Sequence, residues 1–320
     1  MNTVSRLVRA MLPSAKARLY SSTSAIDISG IFPPIPTPFN ADETIAWDKL
    51  KSNIEKWNKI PLRGYVVQGS TGEYTFLTPE ERLEMVRRVK DMAGPGKMVI
   101  AGSGCESTRD TINMTREMSS AGAEAVLVVT PSYYKGRMTS NAFIQHYTRV
   151  ADDSPVPVIL YSVPANTGFD LPFDAIIKLA KHPNVIGMKD SGGDVARIGN
   201  LVYKTAEDEF HVMSGSAGFL YPAFSVGSVG GVCALANVLG GELCQLERLF
   251  KEGKANEAKQ LQHRLIEVNA AITKVYGIAG LKKSMEWFGF YGGPTRSPLQ
   301  PLTQSEENAM RDTFASAGFL

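Results

Sequence analysis

Lys189 stands where a lysine is unexpected, near the end of the apolar run 185–190, "VIGMKD", with the small residues "SGG" directly behind it. An ammonium is strongly hydrated and is seldom buried without a chemical reason. Read as a strand, the run alternates, so Val185, Gly187 and Lys189 share one face and Ile186, Met188 and Asp190 the other. Ile186 and Met188 suit packing against covering helices, which turns Lys189 inward. The other reading is a lysine that bends its head back to solvent at a strand end. In 157–162, "PVILYS", the same rule puts Ile159 and Tyr161 on one face. Neighbouring strands lie about 4.8 Å apart, so an inward lysine and an inward tyrosine at the same end of adjacent strands face each other.

Such a pair has a definite use. Desolvation disfavours an ammonium, and the free amine attacks a ketone to form a protonated imine, an electron sink for cleaving a nearby C–C bond. A tyrosine hydroxyl relays the protons that imine formation and cleavage require. The segment 69–73, "GSTGE", is a small-residue turn whose amides, with the hydroxyls of Ser70 and Thr71, suit a carboxylate. A plain strand-to-helix turn has the same composition. Tyr133 in "TPSYY" reads equally as packing or as a subunit contact, and Gly215 in "SGSAG" as a turn residue or a point of close ligand approach.

These residues need a frame that gathers them. Short β-branched or apolar runs occur at 30–36, 64–69, 98–102, 125–130, 157–162, 185–190, 210–215 and 229–235, with amphipathic segments between them. Eight unbroken strand–helix units favour a closed (β/α)8 TIM barrel over an open parallel sheet, and no GxGxxG motif supports a dinucleotide fold. Every candidate residue above then falls at the C-terminal ends of the strands, where such barrels carry their sites. Beyond the barrel, expected over 26–240, the pattern is helical: 241–252, 254–275, 278–288 and 304–316 predict a C-terminal extension over 241–320.

Composition narrows the function further. The 320 residues are 43% apolar and 21% charged, ordinary for a globular chain, and no apolar run approaches the length of a membrane span. The net charge of +2 comes from residues 1–25, which hold Arg6, Arg9, Lys16 and Arg18 and no acid. That leader is basic, serine-rich and apolar on one helical face, the profile of a mitochondrial transit peptide, so the matrix is the expected compartment. Without it the balance turns slightly acidic, which gives no reason to expect a nucleic-acid partner. Cys105, Cys233 and Cys244 form no CxxC, and the four histidines are scattered, so neither a metal centre nor a disulfide framework is expected.

Taken in order, these segments resemble the pyruvate-dependent class I aldolases typified by dihydrodipicolinate synthase and N-acetylneuraminate lyase, over about residues 27–320. The resemblance implies an imine on Lys189, carboxylate binding by Ser70 and Thr71, and a proton relay of Tyr161, Ser70 and a neighbouring subunit's Tyr133. It further implies Ser191 and Gly215 near the distal end of a small 2-oxo acid, no cofactor, and a homotetramer built as a dimer of dimers. Two positions depart from the family pattern. Ser162 stands where the family usually carries Asn, and Asn166 stands where the synthases carry an arginine for their amino-acid substrate. The second departure, with "QGSTGEY", "AGSGCEST", "LYSVPANTG" and "CALANVLG", is most similar to mitochondrial members that cleave 4-hydroxy-2-oxoglutarate to pyruvate and glyoxylate. A lyase or decarboxylase of another 2-oxo acid such as oxaloacetate, the synthase itself, and a silent 2-oxo acid sensor are the alternatives.

Overall fold

The computed structural model describes residues 26–320, so the expected leader lies outside it. The chain alternates β1 (Gly30–Phe32), α1 (Trp47–Trp57), β2 (Gly64–Val67), α2 (Pro79–Met92), β3 (Met98–Gly102), α3 (Thr108–Ser120), β4 (Ala125–Val129) and α4 (Ser140–Asp153). It continues through β5 (Val158–Ser162), the single turn α5 (Pro164–Thr167), α6 (Phe173–Leu179), β6 (Val185–Asp190), α7 (Val195–Lys204), β7 (His211–Ser214), α8 (Leu220–Ser225) and β8 (Gly230–Val232). Four longer helices follow: α9 (Gly240–Lys251), α10 (Ala255–Ala270), α11 (Gly277–Trp287) and α12 (Gln304–Ser316).

All eight strands are parallel and pair in the order β1-β8-β7-β6-β5-β4-β3-β2. The ring closes between β1 and β2, where Val66 N–H donates to Pro33 C=O and Ile35 N–H to Val66 C=O, both at 3.0 Å. The fold is therefore the (β/α)8 barrel. Strand β1 ends at Phe32, short of the expected 36, because Pro33 and Pro34 have no N–H to continue a ladder.

Apolar residues divide into two layers. Ile100, Leu127, Ile159, Met213 and Val232 fill the barrel, while residues such as Tyr65, Val99, Val126, Leu160 and Val212 face the helices. The helices start on definite signals. Thr78 and Glu81 form a reciprocal capping box with Pro79 at the first position of α2, and the side chains of Ser107, Thr139 and Asp194 cap α3, α4 and α7.

One strand departs from simple alternation. Val158 pairs with Val185, but Ile159 pairs with Gly187, leaving Ile186 as an extra residue in β6. The bulge corrects the expected faces: Ile186 packs against the barrel interior, and Val185 joins Met188 in the outer layer. Above the bulge alternation resumes, and Tyr161 pairs directly with Lys189.

Candidate active site

Lys189 is only 4% exposed and points into the barrel, with Nζ 4.2 Å from the centroid of the Tyr161 ring. Asp190, next in the strand, points outward. Its carboxylate accepts from Gly192 N–H at 2.8 Å and from Arg197 Nε at 3.3 Å, on α7. Burial raises the Asp190 pKa above the usual carboxylate value, and these two donors oppose it. The pairing of Asp190 with Arg197 leaves Lys189 without a carboxylate partner among the described residues.

Tyr161 Oη lies 3.4 Å from Ser70 Oγ. Burial pushes the phenol pKa up, but the Lys189 charge and the polar contacts of Ser70, Lys189 and Ser191 outweigh it and hold the pKa below its ordinary value. A phenol so placed releases its proton more readily than a free one. Cys233 is no rival nucleophile, because complete burial pushes its thiol up to about 12.

Ser70 and Thr71 open a tight 3-10 turn whose own hydrogen bonding begins with Gly72 N–H to Gly69 C=O, at 2.9 Å. Thr37 Oγ1 donates to Gly72 C=O at 2.7 Å and holds the turn against the loop after β1. Ser70, Thr71, Tyr161, Lys189, Ser191 and Gly215 line one cavity of about 420 Å³. Gly215 is required by close approach: a Cβ there would fall 1.9 Å from Ser191 Oγ and 2.8 Å from Asp190 C=O. Ser162 Oγ accepts from Leu171 N–H at 3.1 Å and donates to Asp170 at 3.2 Å, so it fixes the loop that carries Asn166 to the cavity.

Tyr133 is not in this cavity. It lies 77% exposed on the loop after β4, with its ring edge-on to Tyr134 at 5.0 Å, and its backbone N–H donates to Glu106 at 2.9 Å.

Two contributions are absent from the sequence reading. The first is a wall of the cavity built from the C-terminal helices. Asn269 on α10, Thr273 and Lys274 in the π-helical turn Ala271–Val275, and Ile278 and Leu281 on α11 all line it. Asn269 and Thr273 are four residues apart, and Lys274, Ile278 and Leu281 follow at steps of four and three, so two adjacent rows of a helical face meet the cavity. Gln262 latches α10 to the barrel by donating to Ala217 C=O and accepting from Tyr221 N–H, at 2.9 and 2.8 Å. The second is Glu73, the last residue of the "GSTGE" turn. It points away from the cavity to Lys282 Nζ at 2.5 Å and accepts from Arg296 N–H at 2.9 Å. Its backbone is left-handed, with φ 55°. The motif therefore joins the cavity turn to α11.

Among the described residues no acidic side chain lines the cavity, and Lys189 and Lys274 are its two cationic ones. The arrangement provides an amine facing a tyrosine, a pair of hydroxyls on free-amide backbone, and a positive environment for an acidic ketone.

The profile of the dihydrodipicolinate synthetase family matches residues 27–317. A 4-hydroxy-tetrahydrodipicolinate synthase from Methanoculleus marisnigri is 33% identical over 291 residues, covering 90% of this chain and 99% of that one. An uncharacterized DapA-like lyase from Halobacterium salinarum is 35% identical over 299 residues, covering 93% and 97%. Among solved structures, a chloride-inhibited dihydrodipicolinate synthase from Acinetobacter baumannii complexed with pyruvate superposes with a TM-score of 0.87 at 28% identity, covering 92% and 100%. A dihydrodipicolinate synthase from Bacillus anthracis gives 0.86 at 30%, covering 91% and 99%. With an inward lysine and tyrosine at the rim of a barrel matched along nearly its whole length, the chain belongs to the dihydrodipicolinate synthetase family of class I aldolases and lyases.

Proposed function

We propose that this enzyme is a Schiff-base aldolase that cleaves 4-hydroxy-2-oxoglutarate to pyruvate and glyoxylate. The observation that carries this choice within the family is a cavity with no arginine: Asn166 lines it where the synthases place their substrate-binding arginine. The substrate is a dianion, and a cavity lined by Lys274 as well as the Ser70–Thr71 turn, with no acidic side chain among the described residues, suits a second carboxylate. The pyruvate complex of the Acinetobacter baumannii relative supports a 2-oxo acid at Lys189.

In this mechanism Ser70 and Thr71 hold the C1 carboxylate and the Lys189 amine adds to C2. The carbinolamine loses water, with Tyr161 donating and accepting protons, to give a protonated imine. Tyr161 then removes the C4 hydroxyl proton. The C3–C4 bond breaks, its electrons pass to the imine nitrogen as an enamine forms, and glyoxylate leaves. Protonation at C3 and hydrolysis release pyruvate and restore the amine. Tyr133 of a neighbouring subunit completes the relay in a homotetramer, and Ser191 and Gly215 face the distal end. We further propose that residues 1–25 direct mitochondrial import and that the step belongs to hydroxyproline breakdown, as the resemblance to the mitochondrial members implies.

The names of the archaeal relatives favour the synthase as a second reading. The test is a substrate panel. Purified enzyme should release pyruvate and glyoxylate from 4-hydroxy-2-oxoglutarate far faster than pyruvate from oxaloacetate, and should form no 4-hydroxy-tetrahydrodipicolinate from pyruvate and the synthase's amino-acid co-substrate. Dominant formation of that product, or of pyruvate from oxaloacetate, overturns the assignment. Borohydride with pyruvate should leave one reduced adduct on Lys189; none at all leaves the sensor reading.

A further inference from the structure

We propose that Gln68 is a further positioning residue, whose carboxamide holds one buried water behind the Ser70–Tyr161 hydroxyl pair and thereby sets the proton affinity of the Tyr161 phenol. Gln68 directly follows the last residue of β2 and lines a small recess beside Ser70, Leu127 and Tyr161. The residue is only 2% exposed, and neither Oε1 nor Nε2 has a hydrogen-bond partner among the described residues. Its backbone is also left-handed, with φ 63°, a conformation that a glutamine adopts only under constraint. A methionine or leucine would fill the same space without burying a bare amide, so the polarity calls for a purpose.

The surroundings supply one. Gln68 lines a recess of about 10 Å³ together with Ser70, Tyr74 and Tyr161. That volume holds about one water, and a buried water needs two to four polar partners. The polar side chains of the residues that line the recess are the Gln68 carboxamide and the hydroxyls of Ser70, Tyr74 and Tyr161. Ser70 and Tyr161 line both this recess and the main cavity, so the two spaces meet at this pair of residues. A water on the recess side hydrogen-bonds the phenol from a direction that substrate does not occupy. It stabilises the phenolate in addition to Lys189, Ser70 and Ser191, and its role is independent of which 2-oxo acid reacts.

Gln68→Met keeps the length of the side chain and removes both polar atoms. With the enzyme's best 2-oxo acid substrate, we expect kcat to fall about tenfold, the worth of one lost hydrogen bond to a charged group. KM should stay within about twofold, and the alkaline limb of the kcat–pH profile should move upward. A crystal structure of the wild-type protein at high resolution should show one water bonded to the Gln68 amide and Tyr161 Oη. A folded Gln68→Met with unchanged kcat, or with reduced kcat and an unmoved alkaline limb, overturns the proposal. Should that variant not fold, the wild-type structure decides: a dry recess, or a Gln68 amide bonded to protein groups alone, overturns it.

Discussion

Lys189 and Lys282 are both withdrawn from solvent, at 4% and 1% exposure, yet they live in opposite surroundings. Lys282 meets the Glu73 carboxylate at 2.5 Å, donates to Pro294 C=O at 2.8 Å and lies 4.5 Å from the centre of the Phe39 ring. Lys189 meets a phenol and an open cavity, and the adjacent carboxylate is taken up by Arg197. Burial lowers the Lys282 pKa and Glu73 opposes that shift, so the pair ties the cavity turn to α11. Burial alone does not make a lysine reactive. What distinguishes the two is whether a partner has already neutralised the charge and whether a small molecule can reach the nitrogen.

Exchanging partners should break this contrast, and the largest effect belongs to the nucleophile. Lys189→Arg keeps the charge but forms no imine. Turnover should fall by about 10⁵-fold or more, as for loss of a covalent nucleophile, with little change in the melting temperature. Tyr161→Phe keeps the ring and should slow turnover by about 10²–10⁴-fold, the range for a positioned acid–base group. Because its folded pKa lies below the ordinary phenol value, the wild-type kcat should decline with rising pH before pH 10, and this limb should vanish in Tyr161→Phe.

The structural lysine should show the reverse pattern. Lys282→Met removes the counter-ion of the buried Glu73 carboxylate and leaves it only the Arg296 N–H, and should cost about 3–5 kcal/mol in chemical denaturation. Adding Glu73→Gln should recover most of that loss. Undiminished stability in the single variant would show that Glu73 takes up a proton or finds another donor. The smallest effect is expected at the rim. Lys274 is exposed, so Lys274→Gln should raise KM for the dicarboxylate only about fivefold, in line with a solvated ion pair, and should leave pyruvate trapping on Lys189 unchanged.

Much of the site was legible because it depends on local rules. Strand alternation turned Lys189 and Tyr161 inward, and the small-residue turn brought Ser70 and Thr71 to the same rim. The faces of Val185 and Ile186 were misread, because nothing in "VIGMKD" marks the extra residue; the bulge exists only through pairing with β5. The Glu73–Lys282 pair was invisible for a different reason. Its members are far apart in sequence, and a lysine on a helix normally faces solvent. One signal was available: Lys282 is three residues before the buried Met285 on α11, which places it on the packed face. The polar wall of the cavity was likewise hidden in helices that read as a covering layer. Gln68 carried no sequence mark at all, since its strain and its bare amide appear only with coordinates.

The bulge in β6 also divides that strand into two segments that pair with β5 in different register. The lower half takes its phase from Val185, the upper half from the Tyr161–Lys189 pair, and the extra residue between them absorbs any mismatch. A one-residue insertion or deletion between Gly187 and Lys189 would reverse the phase above the bulge and present the Asp190 carboxylate to the cavity in place of the lysine.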